Sequence, residues 1–198
     1  MQYRAVVVGA SAGGIEVFTA ILAQLPAQFS LPIILVQHLR KDQEDSLIRL
    51  YGSRSLLDVQ EAEEKEKIIP GRVYVAPPDY HLLIERDETF SLSADDKVNY
   101  SRPSIDVLFE SAADVYGPAL VGVLLTGANH DGACGLQRIR EHGGLIVVQD
   151  PATARFPEMP ATALARTEVD HVLAPENLGK FLAGLPAIRS SAKRSITP

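Results

Sequence analysis

Four short runs leave this chain little choice of fold: "RAVVVGA" (Arg4–Ala10), "PIILVQH" (Pro32–His38), "ALVGVLLTG" (Ala119–Gly127) and "LIVVQD" (Leu145–Asp150). Each is apolar without alternation. A strand with one wet face would alternate polar and apolar residues, so unbroken runs of Val, Ile and Leu read as strands covered on both faces. Helical spacing fills the gaps. Gly14–Leu25 places Ile15, Phe18, Ile21, Leu22 and Leu25 on one side, and Pro26 closes it. Further helices are expected at Glu44–Tyr51, Ser104–Gly117, Asp131–Gly144, Glu158–Arg166 and Glu176–Leu185, with a short strand "HVLA" before the last. Such alternation predicts an α/β fold, a doubly wound, mostly parallel sheet with helices on both faces. The middle differs. "GRVYVAPP" and "HLLIERDETFSLS" read as short strands with a turn at Arg86–Glu88, a small antiparallel hairpin element around residues 70–100.

The 198 residues suffice for one such domain, expected over residues 1–185, with a polar C-terminal tail at 186–198. A hydrophobic fraction of 46% beside 22% charged residues is that of a soluble globular protein. A formal net charge of −6 argues against nucleic acid as a partner. One Cys allows no internal disulfide and fits a cytoplasmic setting. No apolar run approaches a membrane span, and the N-terminus lacks the pattern of a signal peptide, so no direct membrane insertion is expected.

In open α/β sheets, sites form beyond the carboxyl ends of the strands. The first such loop reads Gly9-Ala10-Ser11-Ala12-Gly13, a G-x-S-x-G between strand and helix. That is the context in which a serine nucleophile stands on a sharp turn, with free N–H groups at the following helix start able to hold an oxyanion. A plain structural turn has the same letters. The second loop supplies His38, as a base or as an exposed loop histidine. The third supplies Asp131, as the acid that orients the base or as the N-cap of its own helix, a role Asn would fill equally well. Together the three provide nucleophile, base and orienter on one edge of one sheet.

The remaining histidines are read differently. His142 closes a helix, where its charge complements the dipole. His171 is placed on the surface, His81 near the functional rim, and His130 beside Asp131, lining the site without acting as the base. No spacing matches a metal site, and neither metal nor cofactor is expected. "GASAGG" partly mimics a dinucleotide loop, which keeps nucleotide binding as an alternative. Against it, Ser11 holds the place of the second glycine, "VQH" stands where the acidic residue belongs, and no G-K-[ST] occurs.

With these residues in place the chain resembles the CheB-type protein-glutamate methylesterases of bacterial chemotaxis. The resemblance runs through "VVVGASAGG", "VQHL", "PGRVYVAPPDYHLL", "SRPSIDVLF", "GVLLTGANHDGACGL" and "FPEMPATAL", across about residues 3–185. It implies hydrolysis of glutamate methyl esters on chemoreceptor cytoplasmic helices, with glutamine deamidation in some members. It maps the triad onto Ser11, His38 and Asp131, with the N–H groups near Ala12 and Gly13 as oxyanion donors. The implied partner is a methyl-accepting chemoreceptor or related signalling protein, and an opposing methyltransferase is expected in the same pathway. Two places depart from the family pattern: Ala12 stands where Thr is usual, and Ala128-Asn129 where Met-Gly is usual, the Met position lying near the nucleophile. Typical members also carry an N-terminal receiver domain. This chain begins one strand before Ser11, and reads as a free-standing esterase domain or a fragment of a longer protein. A degenerate esterase domain, serving as a receptor-binding module without turnover, is the alternative from another class.

Overall fold

The computed structural model describes residues 2–39 and 44–187. Its main sheet contains β1 (Ala5–Ala10), β2 (Ile33–Gln37), β3 (Asp58–Glu61), β4 (Arg72–Val75), β7 (Leu120–Leu124), β8 (Leu145–Gln149) and β9 (His171–Leu173). All neighbours run parallel, in the order β3-β4-β2-β1-β7-β8-β9. Strands β5 (His81–Ile84) and β6 (Phe90–Ser93) form a separate antiparallel pair, the hairpin expected in the middle of the chain. Every residue of β1, β2 and β7 is buried, as unbroken apolar runs require.

Successive side chains of β1 enter opposite cores. Val6 and Val8 pack with Phe18, Ile21 and Leu22 of α1 (Gly14–Leu22), Tyr51 of α2 (Glu44–Arg54) and Leu178 of α6 (Pro175–Ala183). Ala5 and Val7 face Ile105 and Phe109 of α3 (Ile105–Tyr116), Leu136 and Ile139 of α4 (Ala133–Glu141) and Ala163 of α5 (Glu158–Arg166). Burying one Val or Ile side chain stabilises the fold by roughly 1.5–3 kcal/mol. The hairpin joins the second core through Leu82 and Phe90, and the Phe90 ring meets Tyr74 of β4 edge-on at 4.9 Å.

The chain departs from the sequence expectation at several ends. Helix α1 stops at Leu22, and Gln24 and Leu25 donate instead to Ile21 and Leu22 in tight turns. Leu25 stays buried, which is why the apolar spacing ran past the helix. Helix α2 continues three residues further, to Arg54. Strand β3 was not expected: "DVQE" carries one apolar residue, and its strand form comes from pairing with β4. Tyr3 N–H donates to Pro186 O at 2.8 Å, and Tyr3 and Ala187 form an isolated bridge. The rest of the expected tail, 188–198, and residues 40–43 after β2 lie outside the described residues.

Strand β1 has β2 on one side and β7 on the other, so the chain changes side at β1. The register puts Gly9 opposite both Val36 and Leu124. The loops after these three strands therefore leave the sheet at one level and meet.

Candidate active site

Ser11 leaves β1 and its N–H donates to Thr126 O at 3.0 Å. Its own carbonyl accepts Gly14 N–H at 2.9 Å, closing a sharp turn into α1. Gly13, the residue before the helix, sits at φ 77, where side-chain-bearing residues are strained. A Cβ there would also press on Arg155 and Thr126. Among the described residues the N–H groups of Ala12 and Gly13 donate to no carbonyl or side chain. They remain available at the positive end of α1.

His38 follows β2 directly, and its N–H donates to Ala10 O at 2.9 Å. The ring joins the other two loops: Nδ1 is 3.3 Å from Ser11 Oγ, and Nε2 is 3.0 Å from Asp131 Oδ2. The tautomer follows from the partners. An ionised carboxylate only accepts, so Nε2 carries the proton and Nδ1 presents its lone pair to Ser11. The Nε2–H direction misses the carboxylate oxygen, so this contact is close in distance and bent in angle. Such bonds are commonly loose before substrate tightens a site. Gln37, the one polar residue of β2, is buried and donates through Nε2 to Ser11 O at 2.9 Å and His38 O at 3.0 Å. It thereby ties the nucleophile loop to the base loop.

Asp131 has no exposed surface and does not cap its own helix, whose N-cap Gly132 sits at φ 95. It caps α3 instead. Its carboxylate accepts Ile105 N–H at 2.7 Å, Asp106 N–H at 3.1 Å, the Ser104 hydroxyl at 2.9 Å and Asn99 Nδ2 at 2.9 Å. Burial by itself would raise this carboxyl, but the contacts from His38, Asn99 and Ile105 N–H outweigh it and hold Asp131 well below the usual carboxylate range. Asp106 returns the arrangement, accepting Gly135 N–H of α4 at 2.7 Å and the other amide hydrogen of Asn99 at 2.8 Å. Burial first, and then the charge of Asp131, push Asp106 the opposite way, above the usual range. Two neighbouring carboxyls are thus shifted in opposite directions, and ionisation is favoured more strongly at the one facing His38.

The three loops therefore bring Ser11, His38 and Asp131 together, with Ala12 and Gly13 beside Ser11. Ala128 and His130 stand exposed on the loop that ends in Asp131. His81 is not at the rim. It is buried, accepts Ser104 N–H through Nδ1 at 3.1 Å and donates through Nε2 to Asp96 O at 3.0 Å, so it anchors the start of α3. His142 closes α4, with Nδ1 donating to Arg138 O at 2.9 Å. Sequence reasoning missed four residues around the trio: Gln37, Asn99, Ser104 and Asn129, whose carboxamide lies 3.3 Å from His38 Nδ1. A cleft of about 370 Å³ opens beside His38, walled by Leu39, Ile48, Val75, Pro78 and Tyr100.

By fold the chain is an α/β protein, with a serine, a histidine and an aspartate in contact at the carboxyl edge of its parallel sheet. Comparison with known proteins narrows the class. A family profile described as CheB methylesterase matches residues 6–182. A Leptospira interrogans protein, provisionally named protein-glutamate methylesterase/protein-glutamine glutaminase, is 52% identical over 185 residues, 93% of this chain and 96% of that one. A Geobacter metallireducens protein named protein-glutamate methylesterase/protein-glutamine glutaminase 4 is 38% identical over 93% of this chain, which spans 53% of its length. The crystal structure of the Thermotoga maritima CheB methylesterase catalytic domain superposes with a TM-score of 0.88 at 33% identity, covering 92% of this chain and 98% of that one. This chain belongs to the CheB methylesterase family, a family of carboxylic ester hydrolases.

Proposed function

We propose that this chain removes methyl groups from glutamate γ-methyl esters on the cytoplasmic helices of a methyl-accepting chemoreceptor or related signalling protein. Residues 1–185 act as one catalytic domain in the cytoplasm, opposite a methyltransferase of the same pathway. The names of its relatives support the ester and glutamine chemistry, and no helix among the described residues is long and apolar enough to cross a membrane. The observation that carries the reading is the chain of contacts from Ser11 Oγ through His38 to the buried Asp131.

Ser11 Oγ attacks the ester carbonyl while its proton passes to His38 Nδ1. Asp131 holds the Nε2–H side of the ring and stabilises the imidazolium. The N–H groups of Ala12 and Gly13 receive the negative charge of the tetrahedral oxygen. The proton on Nδ1 goes to the departing methoxide, methanol leaves, and a glutamyl-Ser11 ester remains. Water, deprotonated by His38, then releases the glutamate carboxylate. A glutamine side chain takes the same route with ammonia as the leaving group.

The test is methanol release from methylated receptor fragments, with ammonia release from glutamine-bearing fragments as the second assay. Wild-type protein is expected to release methanol, and Ser11→Ala to lose several orders of magnitude in turnover. A Ser11→Ala protein hydrolysing at the wild-type rate would remove Ser11 from the mechanism. A folded wild type inert on every methylated fragment would favour a binding module.

A further inference from the structure

We infer that Asn129 tempers the nucleophile by sharing with Ser11 the single acceptor lone pair of His38. The inference rests on Ser11 and His38 acting as nucleophile and base. The orientation of the carboxamide is fixed by its neighbours. Asp131 N–H donates to Asn129 Oδ1 at 3.1 Å, so the amide nitrogen is the end that faces the ring. That nitrogen lies 3.3 Å from His38 Nδ1, and Ser11 Oγ lies 3.3 Å from the same atom. The Nε2 side is occupied by Asp131, which leaves Nδ1 as the acceptor. An imidazole nitrogen offers one lone pair in the ring plane, enough for one straight hydrogen bond. Two donors converge on it here. Both contacts are longer than the ordinary O–H or N–H hydrogen bond of roughly 2.7–3.0 Å, as expected when neither donor holds the acceptor alone.

Two consequences act in the same direction. Before attack, the carboxamide competes with the Ser11 hydroxyl for the base. After proton transfer Nδ1 carries a hydrogen, which then meets the Asn129 NH2, a donor facing a donor. Asn129 therefore weakens the acceptance of the proton at both stages. It touches no reacting atom and acts through His38, which makes it a positioning residue. The sequence carries a trace of it, because Ala128-Asn129 is one of the two places where the chain departs from the family pattern.

An aryl sulfonyl fluoride isolates this step from receptor binding. Ser11 Oγ forms a bond to sulfur, fluoride leaves and the Ser11 proton goes to His38 Nδ1. Rates of covalent labelling, read by intact mass with the labelled residue mapped, would be compared in wild type, Asn129→Gly, Asn129→Ser and Asn129→Asp. Melting curves accompany each variant. The Gly variant removes the competing donor and the Ser variant draws it back, its shorter hydroxyl lying at Asp131 N–H, so both should label Ser11 roughly two- to tenfold faster, the span that one net hydrogen bond covers. Asn129→Asp puts an ionised acceptor opposite Nδ1, holds a proton there and should slow labelling by about tenfold or more. Damage to the fold slows labelling and cannot produce the gain. Asn129→Ser keeps a short acceptor for Asp131 N–H should the glycine variant fail to fold. Equal or slower labelling in folded Gly and Ser variants overturns the inference, as does faster labelling in the Asp variant. Wild-type labelling at a residue other than Ser11 would instead count against the catalytic assignment itself.

Discussion

On one side the His38 ring meets a fully buried carboxylate that takes hydrogen bonds from two backbone N–H groups, a serine hydroxyl and an asparagine amide. On the other it meets a half-buried hydroxyl and a competing amide, each at 3.3 Å. The difference follows from what each side must do. Asp131 keeps a fixed charge through the reaction, and a fixed charge gains from many preorganised donors. Ser11 must give up a proton, and a tightly held hydroxyl would resist that. One side of the base is thus over-determined and the other is loose. Substitutions at the two sides should differ accordingly in what they cost.

Asp131→Asn tests the fixed side most severely. Were Asp131 a cap for its own helix, Asn would replace it with little loss. In the structure every group in contact with the carboxylate oxygens is a donor. An Asn can turn its oxygen toward Oδ1's three partners, but its NH2 then faces Ile105 N–H and the His38 Nε2–H. The variant is expected to favour the wrong imidazole tautomer, a change that reduced kcat by about 10⁴ in the serine-protease precedent. It should also lose about 1–3 kcal/mol of stability from donors left without an acceptor. Ester turnover and the urea midpoint, measured on one sample, check both. Loss of activity at unchanged stability would mean that the α3 cap contributes little.

The Asp131–Asp106 pair gives a second test, through pH. Asp131 titrates below the usual carboxylate value in the fold. It therefore contributes stability above the unfolded value of ~3.9, which is lost as pH falls through its folded pKa. Asp106 titrates above the usual value, so the native state takes up its proton first. Acidification through that point adds stability, until the unfolded chain is protonated as well. Subtracting the Asp106→Asn curve from wild type largely isolates this term between neutrality and the usual carboxylate range, where distant carboxyls cancel and Asp131, held well below that range, stays ionised. The difference should favour wild type increasingly as pH falls from neutrality toward the usual carboxylate range. A difference that is flat from neutral to acid pH would show that burial does not set Asp106 apart.

The same contrast separates what the sequence disclosed from what it hid. Ser11, His38 and Asp131 each follow a buried apolar run, and parallel strands bring such ends to one edge, so the trio was legible from strand order. The support around Asp131 was not. Ser104 and Asn99 reach it across 27 and 32 residues, and those contacts depend on how α3 packs against α4. Nothing local in "ANHDGA" says that its aspartate caps a different helix. His81 was misplaced for the same reason, since only the packed start of α3 gives it a buried donor. Gln37 left a faint signal, a polar side chain ending the apolar run "IILV". Strand β3 left none, because its form comes from its neighbour rather than from its own side chains.

Ser104→Ala offers the smallest effect and the finest measure of how redundant the fixed side is. The Ser104 hydroxyl is fully buried and donates to Asp131 Oδ1. That oxygen keeps Asn99 Nδ2 and Asp106 N–H when the hydroxyl goes, and Oδ2 keeps Ile105 N–H and His38. Alanine leaves no donor stranded, so the loss is one net hydrogen bond, about 1 kcal/mol or less. The carboxylate stays ionised and in place, and kcat should change by no more than about twofold, a shift in barrier below ~0.5 kcal/mol. The redundancy fails if Ser104→Ala loses turnover comparably to Asp131→Asn while keeping its melting temperature. Ser104 would then be the donor that sets the carboxylate's aim at His38, and the fixed side would hang on one hydroxyl.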